Sequence, residues 1–270
     1  MSVLVAGKNW VEACNFHNLT DQEVLSEVSN RVHRLQGLQR SDSPVVLLDL
    51  DSTLYEVGPR NLQIMVEWAR SKEGSKYKEV SAMVEALELH QVKYSVKETL
   101  LALGVAEMGE SMSHNLCDAI QSAKSYWFNR FFTDSYLTFD RPYFGTREFV
   151  NELYGRGAEV VYLTGRDEPN MGKGTRDNLL RDGFPWNKEK THLWMKPSFH
   201  DSDLDFKRSA VQNIRQMGHL VASFENEPPN VVALSELIPD AMHVFVDTVC
   251  SDQKTAPRDG LYLLRKFSHE

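Results

Sequence analysis

Apolar residues recur along this chain in two patterns. Residues 45–48, Val-Val-Leu-Leu, form an unbroken run bounded by Pro44 and Asp49. A run this short and without alternation predicts a strand buried on both faces, as in a parallel sheet, and Pro44 disfavours helix just before it. Further strands are predicted at "AEVVYLT" (158–164), "THLWM" (191–195), "HLVASFE" (219–225) and "HVFVDT" (243–248). Between them lie segments with helical spacing: 145–157, 174–184 and 203–218, the first and last closing on glycines. A further helix is predicted over 19–38. Thr20 and Glu23 form a capping-box pattern, Leu19 and Val24 a staple, and Val24, Leu25, Val28, Val32 and Leu35 share one face. Strands alternating with helices predict an α/β domain with a largely parallel sheet.

Residues 60–138 break that alternation, because they carry almost no strand signal. Val80, Met83, Val84 and Leu87 share one helical face, and Ile120, Ala123, Trp127, Phe128 and Phe131 another, with Gly74 and Gly104 as punctuation. An all-helical insertion whose apolar stripes form its own core is expected. The resulting division is a core of 1–58 and 139–270, with a helical domain at 59–138.

The 270 residues are 41% hydrophobic and 25% charged, with net charge −8, and no basic tract offsets that charge. Nucleic-acid binding is not expected, and an anionic ligand would need local help from a metal, a helix N-terminus or a few placed cations. Cys14, Cys117 and Cys250 are far apart, so neither a disulfide framework nor a zinc site is expected. The nine histidines form no HxH or HExxH pattern. With no apolar run of membrane-spanning length and no signal-peptide start, a cytoplasmic protein is expected.

The candidate chemistry gathers at strand ends, where ligands bind in doubly wound sheets. Asp49 and Asp51 follow the first strand. Two close carboxylates repel, and a divalent cation such as Mg²⁺ relieves that repulsion. One could attack while the other moves a proton; a solvated loop or a helix cap is the bland alternative. The second strand ends in Thr164, Gly165 and Arg166: a hydroxyl, a backbone N–H able to approach an anion, and a cation that could meet substrate or a nearby acid. Asp167 could cap the turn that follows, and Asp247 could line the site or cap its loop. Lys207 lies near a helix start, and "ENE" (225–227) ends the strand after it. Tyr55 and Arg60 fall where the insertion begins and could touch a leaving group.

In this order, "DLDST", "LTGR", Lys207 and "FENEP" resemble the four motifs of the haloacid dehalogenase superfamily, over about 42–53 and 140–250. The resemblance implies a Rossmann-like, doubly wound core with an all-helical cap between the first and second motifs. It implies Asp49 as the nucleophile that becomes an aspartyl-phosphate and Asp51 as the proton-transfer group. Mg²⁺ would be held by Asp49, the Asp51 backbone carbonyl and Glu225, with Glu227 as the alternative. Phosphoryl oxygens would meet Thr164, Gly165 and Lys207, with Lys196 as the rival lysine. Dehalogenase members lack an acid at the Asp51 position, so phosphate chemistry is favoured. The expected function is a Mg²⁺-dependent phosphomonoesterase acting on a small phosphorylated metabolite. Its alternatives are a phosphomutase or phosphotransferase, and a catalytically weak binding or regulatory protein. The substrate's identity and the oligomeric state stay open.

Overall fold

The computed structural model describes residues 4–35, 43–104 and 110–268. Residues 36–38 of the predicted first helix, 41–42 ahead of the first strand and 105–109 of the predicted insertion lie outside the described residues. Six strands form one sheet: β1 (Pro44–Leu48), β2 (Glu159–Asp167), β3 (Thr191–Lys196), β4 (His219–Glu225), β5 (Met242–Val246) and β6 (Tyr262–Leu264). Their spatial order is β3-β2-β1-β4-β5-β6, and every pairing is parallel. The winding reverses between β1 and β4, so the switch point lies beyond the carboxyl ends of those two strands. This is the doubly wound α/β architecture expected from the apolar runs.

The sheet is apolar on both faces because helices cover both. Val46 and Leu48 of β1 join the layer that holds the helices Asp21–Leu35 and Thr146–Gly155. Val45 and Leu47 point the other way, with Ala210, Val211 and Ile214 of the helix Asp203–Met217 and Leu234 of Pro228–Leu237. The Thr20–Glu23 capping box forms as expected: Thr20 N–H donates to the Glu23 carboxylate at 2.8 Å, and Glu23 N–H donates to Thr20 Oγ1 at 3.3 Å.

Two irregularities bear on function. The β1–β4 register shifts between Val45 and Val46, whose partners are Leu220 and Ala222, so Val221 is an extra residue. A one-residue slip exchanges faces for everything after it. Ala222 and Phe224 therefore join the first layer, and Ser223 and Glu225 face the helix Asp203–Met217. The second lies in β2. The predicted strand 158–164 runs on to Asp167, because Leu163 pairs with Trp194 and Asp167 with Lys196. Thr164, Gly165 and Arg166 thus form a bulge inside the strand rather than a loop after it.

Three helical segments differ from the sequence reading. Lys8–Ala13 and Pro228–Leu237 were not expected, although Pro228 and Pro229 open the latter where proline is favoured. The helix predicted at 174–184 spans Glu168–Arg181 instead, started by Asp167, whose Oδ2 accepts the Asn170 N–H at 3.0 Å.

Among the described residues the chain forms two compact units. One comprises 1–56, 142–172 and 179–270; the other comprises 57–141 and 173–178. The second unit holds the helices Gly58–Arg70, Lys78–Glu85, Val96–Gly104, Glu110–Phe131 and Asp134–Leu137. Met65, Trp68, Val84, Leu100, Ile120 and Ala123 form its own core. Phe128, expected in that core, is 51% exposed, one step off the stripe of Ile120 and Ala123. Arg60, a candidate for the leaving group, is instead fully buried within this unit. Its Nε and Nη2 donate to both Asp140 oxygens at 2.7 and 2.8 Å, and its guanidinium lies 4.1 Å from the Phe131 ring centroid. No helix among the described residues is long and apolar enough to cross a membrane.

The Arg60–Asp140 pair generates one expectation. Asp140→Ala leaves a buried guanidinium uncompensated and should cost about 3–5 kcal/mol in urea unfolding, whereas replacing both residues with apolar ones should recover most of the loss. His243 generates another. Its Nε2 donates to the Ile238 carbonyl at 2.7 Å, and its Nδ1 accepts from Ser223 Oγ at 2.8 Å. Burial holds its pKa below the ordinary 6.5, opposed by the Ile238 carbonyl and helped by Arg258. The unfolded histidine protonates first, so its contribution is complete above pH 6.5 and is lost as pH falls through the lowered folded value. The urea midpoint should drop as pH falls below 6.5, and His243→Gln should flatten that dependence.

Candidate active site

Strand parity brings three charged side chains together. Asp49 extends β1, its N–H donating to Phe224 O at 3.1 Å, and by alternation it points to the same side as Val45 and Leu47. Glu225 ends β4 and, because of the extra Val221, points to that side too. Lys207 is on the helix that covers it. Ser202 caps that helix, accepting the Asp205 N–H at 3.3 Å. Lys207 then leads the buried stripe of Ala210, Val211 and Ile214, at a position where an apolar residue would ordinarily sit. Its ammonium donates to Asp49 Oδ1 at 2.7 Å and to Glu225 Oε2 at 2.5 Å.

All three groups are buried, which sets the electrostatics. One cation faces two carboxylates, so the cluster is one positive charge short. Burial pushes the Asp49 carboxyl up to about 7; Lys207 opposes the rise and Glu225 adds to it. Burial likewise raises Glu225, again against Lys207. For Lys207, burial acts to lower the pKa, but the two carboxylates outweigh it and keep the amine firmly charged. Glu225 Oε1 also accepts the N–H groups of Asn226 and Glu227 at 3.1 and 3.0 Å. Asp49 Oδ2 takes no hydrogen bond among the described residues.

The two pairs left open in the sequence separate in the structure. Lys196 Nζ lies 2.7 Å from Asp203 and donates to Asp201 O at 3.0 Å, with no hydrogen bond to Asp49 among the described residues. The carboxylate of Glu227 instead accepts Ser251 N–H and Oγ, the latter at 2.6 Å, holding the loop after β5. Asp51 pairs with Arg166, whose Nε donates to its Oδ1 at 3.1 Å and whose Nη2 also donates to Oδ1. Arg166 is thus an acid's partner from within the β2 bulge. Thr164 is buried there too, its Oγ1 accepting the Arg166 N–H at 3.2 Å; it makes no hydrogen bond to Asp49, Lys207 or Glu225 among the described residues. At Gly165 an added Cβ would collide with the Asp203 carboxylate, so a larger residue there would have to displace that half-exposed side chain. Asp247 sits at the end of β5, 3.5 Å from Arg265. Tyr55 is fully buried, 5.4 Å from Phe184 between ring centroids.

Hydrogen bonds that the sequence did not reveal join the loops that follow β1, β4 and β5. Thr53 Oγ1 donates to Asn226 Oδ1 at 3.1 Å, Asn226 Nδ2 donates to Val249 O at 2.7 Å, and Thr248 Oγ1 donates to Ser52 O. The amide between two glutamates in "ENE" was the available signal: a residue with both donor and acceptor is suited to join two loops.

No family model matches the sequence, and no curated protein matches it. Solved structures similar to this chain include Protein Tyrosine Kinase A of Mycobacterium tuberculosis, at 16% identity over 84% of this chain and 94% of that one, with a TM-score of 0.48. CbbY of Rhodobacter sphaeroides, solved with phosphate, is 13% identical over 83% and 95%, with a TM-score of 0.43. A haloacid dehalogenase-like hydrolase of Streptococcus pneumoniae is 11% identical over 77% and 86%, with a TM-score of 0.41. These likenesses are remote, and the functional reading rests on the residues.

Lys207 supplies the test of the cluster. Lys207→Met leaves two buried carboxylates without their cation and should cost about 3–5 kcal/mol in urea unfolding at neutral pH. Lys196→Met, which removes a pairing with the half-exposed Asp203, should cost clearly less.

Proposed function

We propose that this protein is a Mg²⁺-dependent phosphomonoesterase that hydrolyses a small phosphorylated metabolite through an aspartyl-phosphate. The observation that carries this reading is Lys207 held between Asp49 and Glu225 at the switch point of the sheet. A buried, permanently charged amine beside a carboxylate with an unengaged oxygen suits phosphoryl transfer, which needs positioning and charge neutralisation more than covalent chemistry.

The donor set fits a hard cation. Among the described residues no group of three or more acidic, histidine or cysteine side chains converges as a metal cage, but Mg²⁺ commonly takes one or two carboxylates and fills its remaining positions with water and phosphate. Asp49, Glu225 and the Asp51 backbone carbonyl would hold it. When bound, Mg²⁺ would neutralise phosphoryl oxygens and favour the ionised form of Asp49.

In the proposed reaction an Asp49 oxygen attacks phosphorus and the bond from phosphorus to the ester oxygen breaks. Asp51 gives that oxygen its proton. A water then attacks the phosphorus, Asp51 takes the water's proton, and the Asp49–phosphorus bond breaks. Lys207 carries charge on the phosphoryl oxygens while remaining paired with Asp49. Thr164 and the Gly165 N–H, in the β2 bulge, would complete the oxygen contacts, and Arg166 would keep Asp51 aimed.

The test is hydrolysis of a generic aryl phosphate with Mg²⁺, followed by a panel of small phosphate esters. Asp49→Asn should lower kcat by about a thousandfold or more, with the variant still folded by circular dichroism. Undiminished activity in that variant would sink the nucleophile assignment. Tight Mg²⁺-dependent phosphate binding without turnover across the panel would instead support a binding protein.

A further inference from the structure

The turn that carries Asp51 is held in a costly conformation. Ser52 has φ 60°, in the left-handed region, although it is not glycine. Such a residue is strained and persists only where its surroundings over-determine it. Part of that determination is local. Leu50 O accepts the N–H groups of Thr53, Leu54 and Tyr55 at 3.2, 2.9 and 2.9 Å, and Ser52 N–H donates to Tyr55 O at 2.7 Å.

The rest comes from far along the chain. Thr248, 196 residues away in the loop after β5, donates its hydroxyl to the carbonyl of Ser52. The next residue of that loop, Val249, is tied by its carbonyl to Asn226, whose side-chain oxygen accepts from the buried Thr53 hydroxyl. Ser251 anchors the same loop on Glu227. The loop thus grips both residues that follow Asp51, one directly and one through Asn226. Rotating the Ser52 backbone out of the left-handed region would swing the Asp51 Cα–Cβ bond, since the two residues share a peptide plane.

We propose that the loop 248–251 is a positioning element of the site: Thr248 and Asn226 brace the Ser52–Thr53 turn and so fix the direction of Asp51. Thr248 touches no reacting atom, so it is a positioning residue. The kinetic part of this assignment rests on Asp51 as the proton-transfer group of the proposed hydrolysis; the conformational part does not.

The test uses the full chain with Thr248→Val, which removes the hydroxyl at nearly constant volume, and Thr248→Ser, which keeps it. With an aryl phosphate and Mg²⁺, Thr248→Val should lower kcat about tenfold with KM changed less than about twofold, and Thr248→Ser should restore kcat. Adding Ser52→Gly to Thr248→Val should recover part of the loss, because glycine adopts the left-handed region freely. Independently of activity, Ser52→Gly should raise the Tm of the parent by about 2 °C and raise that of Thr248→Val by clearly less. Equal Tm shifts in both backgrounds would overturn the brace whatever the kinetics. Unequal shifts with kcat unchanged in Thr248→Val would overturn its role in positioning Asp51. A parent that hydrolyses no phosphate ester would fail the functional reading and the kinetic role with it, leaving the Tm comparison to decide the brace.

Discussion

A single ammonium between two buried carboxylates organises the functional end of this sheet. Charges taken out of water are tolerated only when paired and hydrogen-bonded. Asp49 and Glu225 meet that condition through Lys207 and, for Glu225, through two backbone N–H groups. The pairing is incomplete by one charge: burial raises the Asp49 carboxyl, Lys207 opposes the rise, and the second carboxylate, Glu225, adds to it. In the proposed function a divalent cation bound there would relieve that imbalance.

The cluster exists because of sheet geometry rather than sequence proximity. Asp49 and Glu225 belong to adjacent strands, and Lys207 belongs to the helix that packs over them. Each reaches the cluster only if parity is right. On β4 parity is corrected by one residue, Val221, without which Glu225 would turn toward the opposite helix layer. The β2 bulge does related work. It lengthens that strand by two residues against β3 and gathers Thr164, Gly165 and Arg166 at the strand's end, with Arg166 placed to meet Asp51.

The first five strands and their parallel pairing were legible because each carries a short apolar run, the imprint of burial on both faces; the edge strand Tyr262–Leu264, only partly buried, was less so. Lys207 was preferred to Lys196 in the sequence for opening the helix into the β4 strand, and the geometry brings Lys207 to Asp49. Other features were out of reach for physical reasons. Glu225 and Glu227 are two apart and share a strand parity, so alternation could not separate them; only the chain's turn into Pro228 does. Val221 looks like any other strand valine, since a bulge depends on the partner strand. Arg60 was misread because a buried arginine and a solvent-facing one look alike until the acid 80 residues away is seen beside it. The helix Pro228–Leu237 went unread although its two prolines announced it.

That arginine has a consequence for how such a chain is assembled. Arg60 stands near the point where the helical unit begins, and Asp140 near the point where it ends. Their bond pins the unit's entrance to its exit from within. The cost of closing a long excursion is then met inside the insertion rather than by the host sheet. An inserted segment fastened at its own neck can be lengthened, shortened or exchanged in the course of evolution while the strands on either side keep their register. The same neck would let sequence drift freely in the helices beyond it and hold the sheet's chemistry constant.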